Sequence, residues 1–208
     1  MEPRAVVGRA GEPRTRLSAQ ERRQQLLEVA GGLFAEHGFH GLSMEQLADA
    51  AGVSKPVLYQ HFPSKRELYL ALMQDAIAEM ESQIRKALEG TRDNRARVEG
   101  AIAAYFDFVE DRRSRLIFGA YEAADPDARD AVEEANRRTA EAVGQLIAED
   151  AGLDRAAAGL LATALRGLAT EAARWWTDHD ADAGLDKAKA VRFLSRLAWR
   201  GLGSFQKD

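Results

Sequence analysis

Residues 43–65 carry side chains whose types and spacing suit gripping and reading a nucleic acid. Lys55 can reach a phosphate or a guanine edge, and Pro56 and Val57 can lie against thymine methyls. Ser43 places a hydroxyl at a helix start, where unpaired backbone N–H groups suit a phosphate. No catalytic spacing competes with this reading. His37, His40, His61 and His179 fall on separate elements, and the chain has neither an HExxH pair nor a nucleophile elbow. Asp178, Asp180 and Asp182 are spaced like calcium ligands, but Gly184 comes one place late and Lys189 stands where a bidentate Glu is required. That stretch therefore reads as a solvated turn, and neither enzyme activity, a metal nor a cofactor is expected.

The elements that must hold these groups are short helices. Ser43 with Gln46 three residues later forms a capping box, and Met44, Leu47 and Ala48 make an apolar face before Gly52 breaks the helix. Ser54 starts a second helix with Pro56 in its first turn, and Val57, Leu58 and Phe62 lie where it packs back on its partner. Two helices joined by a tight turn, with a third following at once, form a helix-turn-helix whose second helix, residues 54–61, enters the major groove. Ahead of it, a helix from Ser18 or Ala19 to His37 carries Leu26, Val29, Leu33 and Phe34 at helical spacing. Gly31 and Gly32 inside that helix suggest close approach of a neighbour.

The run GVSKPVLYQHFPSKRELYLAL resembles the signature that closes the DNA-binding domain of TetR-type bacterial transcription regulators, and the likeness spans roughly residues 17–72. It implies that Tyr59, His61 and Lys65 donate to phosphates, that Gln60 reads a base at a position the family varies, and that Ser54 belongs to the same surface. The alternative for Tyr59 and His61 is packing within the domain. Arg22 and Arg23, with Arg14 and Arg16 of the arm, could extend the phosphate footprint; a solvated tail is the alternative for the arm. A further likeness joins GVSKPVLYQHF, DNRARVEGAIAAYFDFVE and RLIF to actinobacterial members that control fatty acid synthesis and respond to long-chain acyl-CoA.

The 208-residue chain has a net charge of −4, which alone argues against a nucleic-acid partner. Distribution decides otherwise: residues 1–66 carry nine basic and seven acidic side chains, so the excess acid lies in the remainder and orients the molecule head-first toward DNA. Cysteine is absent and no apolar run is long enough to cross a membrane, which fits a cytoplasmic protein. The expected organisation is all-α: a flexible basic arm over 1–16, a helix-turn-helix domain over 17–64, and a helical ligand-binding and dimerisation domain over 65–208, with about nine helices in all. Expected helices run over 65–88, 95–111, 115–123, from 125–126 to near 152, from 154 to about 176, and 185–205, with a loop around 178–184.

In the second domain Tyr105, Phe106, Phe108, Phe118, Tyr121, Trp175 and Trp176 cluster on helices that, in the resembled family, surround an internal pocket; ordinary core is the alternative. If the acyl-CoA likeness holds, they line a tunnel for the chain, with the head near Arg112, Arg113 or Arg115. A cationic or aromatic drug-like compound is the rival effector, with Glu122 or Glu171 as its counter-charge, and a DNA-binding dimer without any ligand is a further alternative. Leu161, Leu165 and Leu168 on one helix, and Leu194, Leu197, Ala198, Gly201, Leu202 and Phe205 on the last, form stripes suited to a four-helix homodimer interface. Two-fold symmetry would match a palindromic operator. The sequence leaves open whether such a regulator activates or represses.

Overall fold

In the computed structural model the described residues are 17–111, 114, 116 and 126–201, with the side chains of 180–183 excepted. They form eight α-helices and no strand: α1 (Ala19–His37), α2 (Met44–Ala50), α3 (Lys55–His61), α4 (Lys65–Glu89), α5 (Asn94–Glu110), α6 (Pro126–Ala151), α7 (Arg155–Ala183) and α8 (Lys187–Arg200). The arm and most of the expected helix over 115–123 lie outside the described residues, as do Arg112, Arg113, Arg115, Phe118, Tyr121, Glu122, Leu202 and Phe205.

The helix starts are set by short polar side chains that accept from backbone N–H groups otherwise left without partners. Ser18 and Ser43 each form a complete capping box, with Glu21 and Gln46 respectively. Ser64, Asp93, Asp154 and Asp186 cap α4, α5, α7 and α8. Ser54 occupies the cap position of α3, but its side chain makes no capping hydrogen bond; its carbonyl accepts from Val57 and Leu58 instead. Between α2 and α3 the chain reverses at Gly52, whose φ of 64° strains any residue with a Cβ.

Apolar faces then assemble these helices. Leu26, Leu27, Ala30 and Phe34 of α1 meet Met44, Leu47 and Ala48 of α2, Leu58 of α3 and Phe62. The expected inward stripe of α4 is buried along its length, from Leu68 to Leu88, and α4 packs on α1, α5 and α6 in turn. Phe108 is buried together with Ile102, Tyr105, Phe106 and Val109, so α5 is apolar on two sides, as its sequence implies. The α6–α7 pair packs closely where a Cβ on Gly144 would lie 3.6 Å from Ala162 Cβ.

Two boundaries and one glycine differ from the sequence reading. The stretch over 177–183 continues α7 rather than forming a loop, because no residue before Gly184 stops the helix; the Trp176 indole N–H then donates to the Leu185 carbonyl at 2.7 Å and fixes the turn. The final helix ends at Arg200, since Gly201 adopts a φ of 71° and caps it instead of continuing the interface stripe. Gly32 has open space where a Cβ would stand, so no neighbouring helix explains that residue.

Candidate functional site

α3 presents a definite outward face. Leu58 and Phe62, one turn apart, are fully buried and fix the helix against α1 and α2. That orientation leaves Lys55, Pro56, Tyr59 and Gln60 exposed, with Val57 and His61 half-buried beside them. Ser43 is exposed next to this face, and its Oγ accepts from the Gln46 N–H at 3.2 Å. The hydroxyl proton of Ser43 is thereby left to donate outward. Lys55 Nζ lies 3.7 Å from Glu45 Oε2 in an exposed pair of little strength.

Other basic groups are held in place by the domain itself. The Arg23 guanidinium sits 4.5 Å from the centre of the Phe62 ring, and Arg22 donates to Gln25. Lys65 donates to the Leu42 carbonyl at 2.8 Å and lies 4.5 Å from the Phe39 ring centre. It thus ties the start of α4 to the residue preceding Ser43, a positioning role its sequence context does not announce.

Tyr69 joins this head to the helical body. Its ring packs edge-on against Phe34 and Phe39, at 5.5 and 5.2 Å between centres, while its hydroxyl donates to the Leu116 carbonyl at 3.1 Å. Arg66 pairs with Asp127 at the start of α6, giving a second link between the beginning of α4 and the body.

Within the body, Tyr105, Phe106, Phe108 and Trp176 are packed into the core, and Phe106 and Trp176 stand 5.5 Å apart between ring centres. Trp175 instead faces outward at 51% exposure and stacks on His179. With Phe106, Trp176, Phe193 and Leu197 it lines an open apolar groove of about 260 Å³. Around Trp175 the exposed apolar surface continues through Leu160, Leu161 and Phe193, whereas Leu194 and Ala198 pack against the protein's own core. Leu165, Leu168 and Leu197 are half-buried along the same two helices. Glu171 is paired with Arg174 at 3.1 Å on the surface, apart from the buried aromatics.

Among the described residues four hydroxyls of the body are buried without a hydrogen-bond partner: Tyr105 Oη, Thr139 Oγ1, Thr170 Oγ1 and Ser195 Oγ, with Tyr105 and Thr170 on the facing helices α5 and α7. Burial pushes the Tyr105 phenol above the usual tyrosine range, opposed by the charge of Arg166 and by the Thr170 hydroxyl. Among the described residues there is no cluster of His, Asp or Glu able to hold a metal. No helix of the described residues is long and apolar enough to cross a membrane.

Known proteins resemble this chain in sequence and in fold. The profile of the family described as "Bacterial regulatory proteins, tetR family" matches residues 26–72, which contain α2, α3 and the start of α4. The HTH-type transcriptional activator FasR of Mycolicibacterium smegmatis is 42% identical over 189 residues, covering 90% of this chain and 85% of the relative. A TetR-like transcriptional regulator from Rhodococcus sp. RHA1 superposes with a TM-score of 0.71 at 29% identity, over 91% of this chain and all of the other. The regulator FadR from Bacillus subtilis, solved in complex with stearoyl-CoA, shares the fold with a TM-score of 0.70 at 17% identity, over 86% of this chain and 98% of its own.

Proposed function

Because this chain belongs to the tetR family of bacterial transcriptional regulators, we propose that it acts as a homodimer on a palindromic operator and that a long acyl chain changes its affinity for DNA. The observation that carries the DNA-binding part is the outward face of α3: Leu58 and Phe62 are inside, while Lys55, Pro56, Tyr59 and Gln60 face solvent beside Ser43. In this reading Gln60, Lys55, Pro56 and Val57 meet base edges, and Ser43, Ser54, Tyr59, His61, Lys65, Arg22 and Arg23 surround the phosphates. Lys65 would reach a phosphate from its position beside the Leu42 carbonyl.

Dimer formation is supported by the exposed apolar face of α7 and α8, around Leu161, Trp175 and Phe193. The acyl effector is supported by the motifs shared with acyl-CoA-responsive regulators, by the extended identity with FasR, and by a neighbour of the same fold that holds stearoyl-CoA. Its chain would enter among Tyr105, Phe106, Phe108 and Trp176. These rings are closely packed, so entry requires them to move apart. The change would pass to the head through α4, where Tyr69 contacts both Leu116 and the Phe34–Phe39 pair. A ligand shifts such an equilibrium only by its difference in affinity for the two states, so the operator must change effector affinity by the same factor.

The test is selection of bound duplexes from a random DNA pool, followed by titration of the enriched site with stearoyl-CoA. An enriched inverted repeat whose affinity changes with the acyl-CoA supports the reading. A pool without an enriched sequence removes the operator, and an enriched repeat indifferent to acyl-CoA removes the effector while leaving the DNA role.

A further inference from the structure

Helix α8 carries five basic side chains, Lys187, Lys189, Arg192, Arg196 and Arg200, and no acidic one, in the half of the molecule that holds the excess acid. Lys187 is answered by Asp107 and Glu110 at the end of α5, so α8 starts there and runs back toward the start of α5. Near that start the two helices leave a recess of about 390 Å³. Arg95 and Glu99 of α5 line it, with Arg192, Arg196, Trp199 and Arg200 of α8. Four guanidinium groups thus share one carboxylate.

Local helix chemistry accounts for only part of this charge. Arg200 stands in the last turn of α8, where the carbonyl end of a helix favours a cation. Arg95 stands in the first turn of α5, at the end that disfavours one. Arg192, Arg196 and Arg200 follow one another at four-residue intervals, and like charges at that spacing destabilise a helix. The side chains of Arg95, Arg192 and Arg200 have no hydrogen bond or ion pair among the described residues. Ser195, 8% exposed, belongs to the wall of the same recess, and its hydroxyl is unpaired. Trp199 beside them is 48% exposed. Trp and Arg are the residue types that dominate the energy of protein interfaces. A face meant only for water gains nothing from an exposed indole among like charges.

The spacing of the arginines points to the shape of the occupant. From Arg192 to Arg196 to Arg200 each step rises about 6 Å, the same interval as between Glu side chains four apart on a second helix. We propose that the α5–α8 recess docks an acidic amphipathic helix of another protein, with its carboxylates on Arg95, Arg192 and Arg200 and an apolar side chain against Trp199. A duplex fits this place less well, because its phosphates cover a broad face and would meet the acid of the surrounding body. The head also lies elsewhere: α4 spans about 36 Å from Lys65 to Glu89, and α5 begins five residues after it. Of the residues around the recess only Phe193 also lines the groove at Trp175. Docking at Trp199 therefore leaves Trp175 and Leu161 for the pairing of two copies. The inference adds a protein partner to the operator and the effector, and depends on neither.

The test titrates the full chain with a fluorescein-labelled helical peptide that bears Glu at every fourth position with Leu beside it, read by anisotropy. A control peptide of the same length has Gln for each Glu. The acidic peptide should bind, the Gln peptide should bind at least tenfold more weakly, and added salt should weaken the acidic one. The double variant Arg192→Gln/Arg200→Gln should lose at least tenfold in affinity for the acidic peptide. It removes two like charges from one helix, so its thermal melt should not fall, and its operator affinity should not change. Arg129→Gln/Arg155→Gln removes the same charge from α6 and α7 and should leave peptide binding as it was. Trp199→Ala should weaken the acidic peptide with all the arginines intact. If the acidic peptide does not bind, or binds no tighter than the Gln peptide, the proposal falls. Equal weakening by the two double variants also overturns it, since net charge rather than the recess would then hold the peptide. Random-sequence duplex or phosphatidylglycerol vesicles that bind through Arg192 and Arg200, where the peptide does not, would assign the charge to a different polyanion.

Discussion

At Tyr59, 42% exposed on a helix otherwise anchored by Leu58 and Phe62, a phosphate contact and a packing role make opposite demands. Its exposure weighs against the packing alternative, because truncating a ring that faces solvent opens no enclosed cavity. Tyr59→Ala should therefore weaken binding to every DNA sequence to a similar degree and leave the melting temperature in place. Unchanged operator affinity in a binding isotherm would refute Tyr59 as a phosphate contact. Gln60, also exposed one residue on, should behave differently: Gln60→Ala changes which bases are preferred, seen as an altered consensus in selected duplexes. Tyr105 makes a prediction about pH. Its phenol titrates above the usual value of 10.0 because burial disfavours the charged form, so the folded state holds this proton more tightly than the unfolded chain does. The corresponding stability is complete below pH 10.0 and is lost as pH rises from there through the folded-state value. Tyr105→Phe should remove that alkaline decline, and one late-ionising phenol should vanish from the ultraviolet titration of the four tyrosines.

Among the elements, α4 links the two ends of the molecule, and Tyr69 is its joint. Tyr69→Phe keeps both ring contacts and deletes the bond to the Leu116 carbonyl. If that bond carries about 1 kcal/mol of coupling, the ratio of operator affinities with and without stearoyl-CoA should shrink by about fivefold. Fluorescence anisotropy of a labelled operator measures this, and an unchanged ratio would remove Tyr69 from the route. The elements also mark how far the sequence could be read. Ser18, Ser43 and Ser64, and Asp154, announce their helices because a cap is a local contact between residues two or three apart. The inward face of α3 was equally legible, since Leu58 and Phe62 stand at helical spacing. The end of α7 was not: Asp178, Asp180 and Asp182 look like turn residues, yet only Gly184 stops the helix, with Trp176 closing the turn by a bond to Leu185. Tyr105, Thr170 and Arg166 come from two helices and meet only through packing, so no spacing rule brings them together. Tyr105 was legible as an aromatic, but its unpaired hydroxyl was not. Trp175 and Trp176 show the same limit, for of two adjacent residues with one side-chain type the first faces outward and the second packs into the core.

For the whole molecule, charge and apolar surface both argue for a paired assembly. A head with a small excess of basic groups on an acidic body attracts DNA only modestly, so a single copy would hold it weakly. Two copies held rigidly would bind as one, and linking two weak contacts multiplies affinity by about 10²–10⁴. The surface available for pairing is the outer face of α7 and α8, where Leu160 is 71% exposed, Trp175 51%, and Leu161 and Phe193 44% each. Four large apolar side chains exposed along two adjacent helices exceed the scattered singles of a monomer surface. Trp175→Glu places a charge at the centre of that face without disturbing the core, since Trp176 rather than Trp175 packs on Phe106. Light scattering should then give a mass near 22.9 kDa where the wild type gives twice that. The circular dichroism spectrum should not change, and operator affinity should fall by about a hundredfold or more as the two heads become independent. Leu161→Arg, on the same helix but more than three turns away, should have the same effect. If both variants remain at twice the chain mass, the pairing surface lies elsewhere, and the apolar face of α7 and α8 must be covered by something other than a second copy.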